Sequence, residues 1–144
     1  MNENKFVIGY TTGVFDLFHI GHVNILRNAK AMCDKLIVGV SSDELVIQNK
    51  SKKTVIPMIE RLEIVRSIRY VDAVITQEHT DKYEIWKKLK YDVLFVGDDW
   101  YNTDKWDVME KKLSEVGVRI VYFPYTQGTS STLINKTLNE IREK

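Results

Sequence analysis

Five short apolar runs punctuate the chain: Lys5–Tyr10 (KFVIGY), Lys35–Val40 (KLIVGV), Ala73–Thr76 (AVIT), Asp92–Val96 (DVLFV) and Val118–Phe123 (VRIVYF). Each is rich in Val, Ile or aromatic residues, and several are apolar almost throughout. Continuous apolarity suits central strands buried on both faces of a parallel sheet. Between these runs the apolar positions fall at helical spacing. Val23, Leu26, Ala29 and Cys33 predict a helix over His22–Met32, and Ile64, Val65 and Ile68 predict one over Glu60–Arg69. Asp81–Leu89 is a shorter helix containing Trp86. Trp106, Met109, Leu113 and Val116 form a stripe over Asp104–Val116, with Gly117 as its C-cap. Ile134, Leu138 and Ile141 form another over Ser131–Arg142. Strands alternating with helices predict an α/β fold: a three-layer Rossmann-like sandwich around a mostly parallel five-stranded sheet, with right-handed crossovers. Gln48–Met58 (QNKSKKTVIPM) is the least regular stretch and reads as a long mobile loop of the kind that forms lids or binding loops.

Composition narrows the function. A chain of 144 residues is one domain's worth, so residues 1–144 read as a single domain. An apolar content of 44% supplies a core and argues against disorder. The 21 basic and 20 acidic residues leave a net charge of +1, which argues against a nucleic-acid coat or a polybasic membrane binder. The single cysteine, Cys33, excludes a disulfide framework and a CxxC metal site. The opening MNENKFVIGY has no signal-peptide pattern, and no apolar run approaches the ~20 residues of a membrane helix. A cytoplasmic protein without membrane insertion is the expectation.

The chemistry concentrates in one turn. The first strand runs into Gly13-Val14-Phe15-Asp16-Leu17-Phe18-His19-Ile20-Gly21-His22, and a helix follows at once. Open α/β sheets bind ligands beyond the carboxyl ends of their strands. Free N–H groups at the helix start favour an anion there, and Gly13 and Gly21 permit close backbone approach to a phosphate. His19 and His22 each offer an N–H donor to that anion. They are also readable as ordinary helix-start residues. A zinc site lacks a third ligand, since His79 is distant and falls in a predicted loop.

The segment GVFDLFHIGH resembles the HxGH motif of the nucleotidyltransferase superfamily, and the whole chain resembles the small bacterial glycerol-3-phosphate cytidylyltransferases. Supporting segments follow in order. Lys52-Lys53 precedes Glu60-Arg61, and Ile68-Arg69-Tyr70-Val71-Asp72 resembles an RYVD element. Val96-Gly97-Asp98-Asp99-Trp100 resembles a GDDW element, and Tyr125–Thr132 (YTQGTSST) resembles an RTxGISTT element. The resemblance implies a reaction of CTP, accompanied by Mg²⁺, with glycerol 3-phosphate. The products would be CDP-glycerol, for a cell-surface polymer, and pyrophosphate.

By the same resemblance His19, His22 and Lys52 would be catalytic. Gly13, Val14, Phe15, Asp16, Gly21, Arg69, Asp98, Tyr125, Thr126, Gly128, Ser130, Ser131 and Thr132 would hold the nucleotide. Lys50 and Lys82 would meet the acceptor phosphate, and the RYVD segment would pack a homodimer. Two departures stand out: Val14 replaces a threonine, and Tyr125 replaces an arginine that would carry phosphate-binding charge. The same residues also accommodate phosphoethanolamine or phosphocholine as acceptor, or a nucleotide-binding regulator without turnover. A choline head would want an aromatic cage. Arg61 and Arg69 read as two turns apart on one helix, with a surface ion pair to Glu60 or Glu63 as the simplest role for Arg61.

Overall fold

The sheet begins at its own centre. A computed structural model describes residues 5–51, 53–97, 104–124 and 131–142. Its elements in chain order are β1 (Ile8–Gly13), α1 (Ile20–Lys30), β2 (Lys35–Ser41), α2 (Asp43–Lys50), α3 (Met58–Arg66), β3 (Ala73–Gln77), α4 (Lys82–Leu89), β4 (Val93–Gly97), α5 (Asp104–Glu115), β5 (Arg119–Phe123) and α6 (Ser131–Arg142). All five strands are parallel, in the order β3-β2-β1-β4-β5. The chain winds outward from β1 through β2 to β3, then crosses back to place β4 on the other side of β1. That reversal puts the topological switch point between β1 and β4, where open α/β sheets bind their ligands.

Alternation along the strands feeds two cores. Leu36, Val38 and Val40 of β2 and Val93 and Phe95 of β4 join Leu26, Ala29 and Val65 on the face covered by α1 and α3. Tyr10, Ile37 and Leu94 join Tyr91, Trp106 and Leu113 on the face covered by α4 and α5. Because both faces are covered, the strands read as nearly unbroken apolar runs.

Register is set at the amino ends by three aspartates of one pattern. Asp34, Asp72 and Asp92 each stand just before β2, β3 or β4. Each carboxylate accepts a backbone N–H in or just before the neighbouring strand: Asp34 from Val7 at 2.7 Å, Asp72 from Leu36 at 2.7 Å and Asp92 from Ile8 at 2.9 Å. Each aspartate's own N–H donates to the carbonyl of that same residue. The two bonds bracket one residue, so a slip by one position would break both.

The structure departs from the sequence reading in three places. β1 runs three residues further than Tyr10, so Gly13 is its last residue rather than part of a loop. The first part of the expected lysine-rich loop is helical: α2 starts at Asp43, capped by the Ser42 side chain accepting from the Leu45 N–H, and runs to Lys50, with Ser51 as its C-cap in the left-handed region. Finally, α3 stops at Arg66, so Arg61 and Arg69 do not share a helix.

Candidate active site

The turn from β1 to α1 is held in a conformation the chain resists. Phe15 and Leu17 both have positive φ, 57° and 50°, a region that side chains other than glycine rarely adopt. Such strain persists where surrounding packing fixes it. Here Phe15 is driven into the core, 5% exposed, against the strands. Gly13 is required by that ring, since a Cβ at Gly13 would lie 2.9 Å from it. The carbonyl of Val14 is tied down by a buried arginine described below.

His19 and His22 are fixed by the helix start itself. His19 is the N-cap of α1; its Nδ1 accepts the Gly21 N–H at 3.0 Å, and His22 Nδ1 accepts the His19 N–H at 3.1 Å. This is a capping box in which imidazoles replace the usual Ser and Glu. The two rings lie 4.1 Å apart, and His22 also contacts the rings of Phe15 and Phe18 at 5.4 and 5.0 Å. Burial, reinforced by His19, pushes the His22 pKa down to about 4, and burial lowers that of His19. Both rings are therefore neutral at pH 7. A neutral ring whose Nδ1 accepts must carry its proton on Nε2. The backbone thus dictates the tautomer and leaves two Nε2–H donors at the N-terminus of α1, where the helix dipole already favours an anion.

Arg61 is fully buried rather than paired with a surface glutamate. Its guanidinium donates to the carbonyls of Val14 at 2.7 Å, Ser41 at 2.8 Å and Ile56 at 2.8 Å, and to the Asp43 carboxylate. Burial works against the charge on Asp43. The bonds from Arg61, the Met58 N–H and the Thr54 hydroxyl outweigh it and hold its carboxyl below the usual range. Asp16, on the turn, accepts from the N–H groups of Val55 and Ile56 at 2.8 and 2.9 Å. Asp16 and Arg61 together clamp the segment before α3 onto the histidine turn. In the chain that segment follows Lys53 directly.

The structure brings Gly13, Val14, Phe15, Asp16, His19, Gly21 and His22 together in this turn. Phe15 and Asp16 spend their side chains on the core and on the clamp, leaving a ligand their backbone. Lys50 closes α2, while Ser131 and Thr132 open α6, which follows the carboxyl end of β5. Lys52, Asp98, Tyr125, Thr126, Gly128 and Ser130 lie outside the described residues. Arg69 does not join the turn. It is exposed just before β3, at the amino end of the sheet, with its guanidinium on the Tyr70 hydroxyl at 3.0 Å.

Lys82 opens α4 at the carboxyl end of the sheet. It is 8% exposed, and burial pushes its pKa down to about 8. His79 is occupied locally, its Nδ1 accepting from the Asp81 N–H. Among the described residues no group of three or more His, Cys, Asp or Glu could hold a metal ion.

Sequence reasoning missed the roles of Arg61 and Asp43. The visible signal was Ser42-Asp43-Glu44, a cap followed by an acidic first turn. Arg61 had none, because its partners come from three separate segments: Val14, Ser41 with Asp43, and Ile56.

A family model described as cytidylyltransferase-like matches residues 10–137. The chain belongs to that family. Like other cytidylyltransferase-like proteins it carries the alternating α/β fold, and it is 36% identical to the FAD synthase of Pyrococcus abyssi over 99% of this chain and 97% of that one. It is 35% identical to the glycerol-3-phosphate cytidylyltransferase of Bacillus subtilis over 89% of this chain and 94% of that one. Among solved structures, a lipopolysaccharide core biosynthesis protein from Thermoplasma volcanium superposes with a TM-score of 0.69 at 24% identity, over 87% of this chain and all of that one. That likeness bears on the fold. Among the described residues no helix of this cytidylyltransferase-like chain is long and apolar enough to cross a membrane.

Proposed function

We propose that the protein joins CTP and glycerol 3-phosphate to give CDP-glycerol and pyrophosphate. An oxygen of the acceptor phosphate attacks the α-phosphorus of CTP, the bond to the β-phosphate oxygen breaks, and pyrophosphate departs. The acceptor is already an anion, so the protein need not supply a strong base; it must position the partners and stabilise the moving charge. The observation that carries the reading is the pair of backbone-fixed Nε2–H donors on His19 and His22 at the start of α1. Lys52, three residues before Val55 in the sequence, would add positive charge, and Lys50 and Lys82 would meet the acceptor phosphate. Mg²⁺ would enter on the triphosphate, held by phosphate oxygens and water, because Asp16 and Asp43 already accept hydrogen bonds from the clamp.

A second reading is favoured by the Pyrococcus relative: transfer of AMP from ATP to a flavin phosphate. A choline acceptor has less support. Tyr83 and Trp86 stack on each other at 5.7 Å, and Lys87, Lys90 and Lys112 of the same chain lie over their faces. We also propose a homodimer packed through the Ile68–Asp72 stretch, and a place in the cytoplasm supplying an activated glycerol phosphate for a cell-surface polymer. Light scattering at tens of micromolar tests the dimer, and a monomeric mass with full activity contradicts it.

The deciding experiment measures pyrophosphate release from four nucleoside triphosphates. Glycerol 3-phosphate, riboflavin 5′-phosphate, phosphoethanolamine and phosphocholine serve as acceptors. The fastest release is expected with CTP and glycerol 3-phosphate. Release only with ATP and the flavin phosphate overturns both substrates, and no release with any pair overturns the transferase.

A further inference from the structure

Among the described residues, two buried oxygens on the α4 and α5 side of the sheet have no hydrogen-bond partner. The Tyr10 hydroxyl and the Gln77 side-chain carbonyl are fully buried and unbonded, in residues 0% and 3% exposed. Leaving a buried polar atom unpaired is costly, so such an atom asks for a ligand or a water.

Strand register places Gln77 near the Tyr10 hydroxyl, and Tyr91 ties Tyr10 to the start of α4 at Lys82. The Tyr10 phenol crosses from β1 to lie over Gly39 of β2; a side chain at Gly39 would collide with its hydroxyl. Gly39 pairs with Ile75, and Gln77 stands two residues further along β3, on the same face. Adjacent strands lie about 4.8 Å apart and two residues span about 6.6 Å, so both side chains serve one small patch at the carboxyl end. Lys82 follows Gln77 by five residues. Its carbonyl accepts the Tyr91 hydroxyl at 2.7 Å, and Tyr91 stacks on Tyr10 at 5.1 Å. Among the described residues no acceptor is hydrogen-bonded to the Lys82 ammonium.

We infer that Tyr10 and Gln77, beside Lys82, form the subsite that reads the hydroxyl groups of a polyol phosphate acceptor. This rests on the nucleotidyl-transfer reading and names its acceptor class. The Gln77 carbonyl accepts an alcohol O–H, the Tyr10 hydroxyl donates to or accepts from a neighbouring alcohol, and the ammonium of Lys82 meets the phosphate. Glycerol 3-phosphate and the ribityl chain of riboflavin 5′-phosphate share this pattern of hydroxyls beside a phosphate. Phosphoethanolamine lacks the hydroxyls and brings a cation toward Lys82. The patch is closed here, so binding requires it to open.

The test compares Tyr10→Phe and Gln77→Met with the wild type. Tyr10→Phe removes one oxygen and keeps the ring. The expected result is a tenfold or greater rise in the KM for glycerol 3-phosphate, an unchanged KM for CTP, and a Tm equal to or above that of the wild type. An unchanged acceptor KM with unchanged or raised Tm would mean the oxygens hold a buried water only, and would overturn the inference. So would phosphoethanolamine outperforming both polyol phosphates. Should riboflavin 5′-phosphate alone support turnover, the proposed acceptor fails, while the inference stands if Tyr10→Phe raises the flavin phosphate's KM tenfold. Should no acceptor support turnover, calorimetry with glycerol 3-phosphate alone decides: binding lost in Tyr10→Phe supports the subsite, and no binding to wild type overturns it.

Discussion

At the amino end of the sheet, Asp34, Asp72 and Asp92 each close a hydrogen-bond pair with the neighbouring strand, and Lys30 and Lys5 neutralise two of the carboxylates. At the carboxyl end, Arg61 is buried on three carbonyls and a carboxylate, two residues sit at positive φ, and the histidine Nε2–H groups point away from their own caps. Polar groups at the first end are spent on each other; at the second they fix a turn and leave donors over. The difference separates what holds the sheet together from what it is built to hold.

The sharpest way to break the contrast is Arg61→Ala. Removing the guanidinium strands three carbonyls and takes one of the hydrogen bonds of Asp43, and a cost of about 3–5 kcal/mol is expected in urea unfolding. Arg61→Lys recovers little, because one ammonium cannot serve four acceptors in a planar fork. Next come His19→Ala and His22→Ala. Each is expected to cut kcat by roughly 10²-fold, the scale for losing a transition-state donor. Each also costs about 1 kcal/mol through the lost cap. Near-normal turnover in both would make the histidines structural. At the other end, Asp34→Ala is expected to cost about 1 kcal/mol and to leave kcat and KM unchanged; a large loss of activity would erase the distinction between the ends.

Acidification separates the ends more finely. His22 has its pKa lowered to about 4 from 6.5, so between those values the unfolded chain binds a proton that the folded one refuses. Stability must therefore fall as pH drops from about 6.5 to about 4, with no further loss from this group below that. Burial opposes the charge on Asp72, but Lys30 and the Leu36 N–H outweigh it and hold its carboxyl below 3.8. Its contribution is present above that value and is lost on further acidification. Urea midpoints against pH should show the first decline shrink in His22→Phe, with a remainder from His19, and the second shrink in Asp72→Asn. Identical slopes in all three proteins would contradict the assignment.

Much of this was legible in the sequence for a physical reason. Strands covered on both faces appear as apolar runs, and the turn stands out because two of the three histidines fall within it. Helix α2 was hidden because its apolar residues follow no clear stripe, leaving only the Ser42 cap as a signal. Arg61 was hidden because an arginine between Glu60 and Glu63 looks solvated until Val14, Ser41, Ile56 and Asp43 converge on it. The aspartate before each of β2, β3 and β4 was in plain view in Cys33-Asp34, Val71-Asp72 and Tyr91-Asp92. Its meaning needed the register, which also separates Arg69 from the histidine turn. Tyr10 reads as core in any strand; that its hydroxyl lies over Gly39 with no partner among the described residues shows only in the structure.

The central claim is that two neutral imidazoles, fixed by the backbone, present Nε2–H to a triphosphate. Long-range ¹⁵N–¹H spectra of the histidine rings, recorded at pH 7 while CTP and Mg²⁺ are added, test it most directly. The account predicts that His19 and His22 are both Nε2–H tautomers before addition, and that their Nε2–H signals shift on binding while their Nδ1 signals hold still. Rings that are cationic or protonated at Nδ1 in the free protein, or Nε2–H signals that ignore the nucleotide, would contradict it.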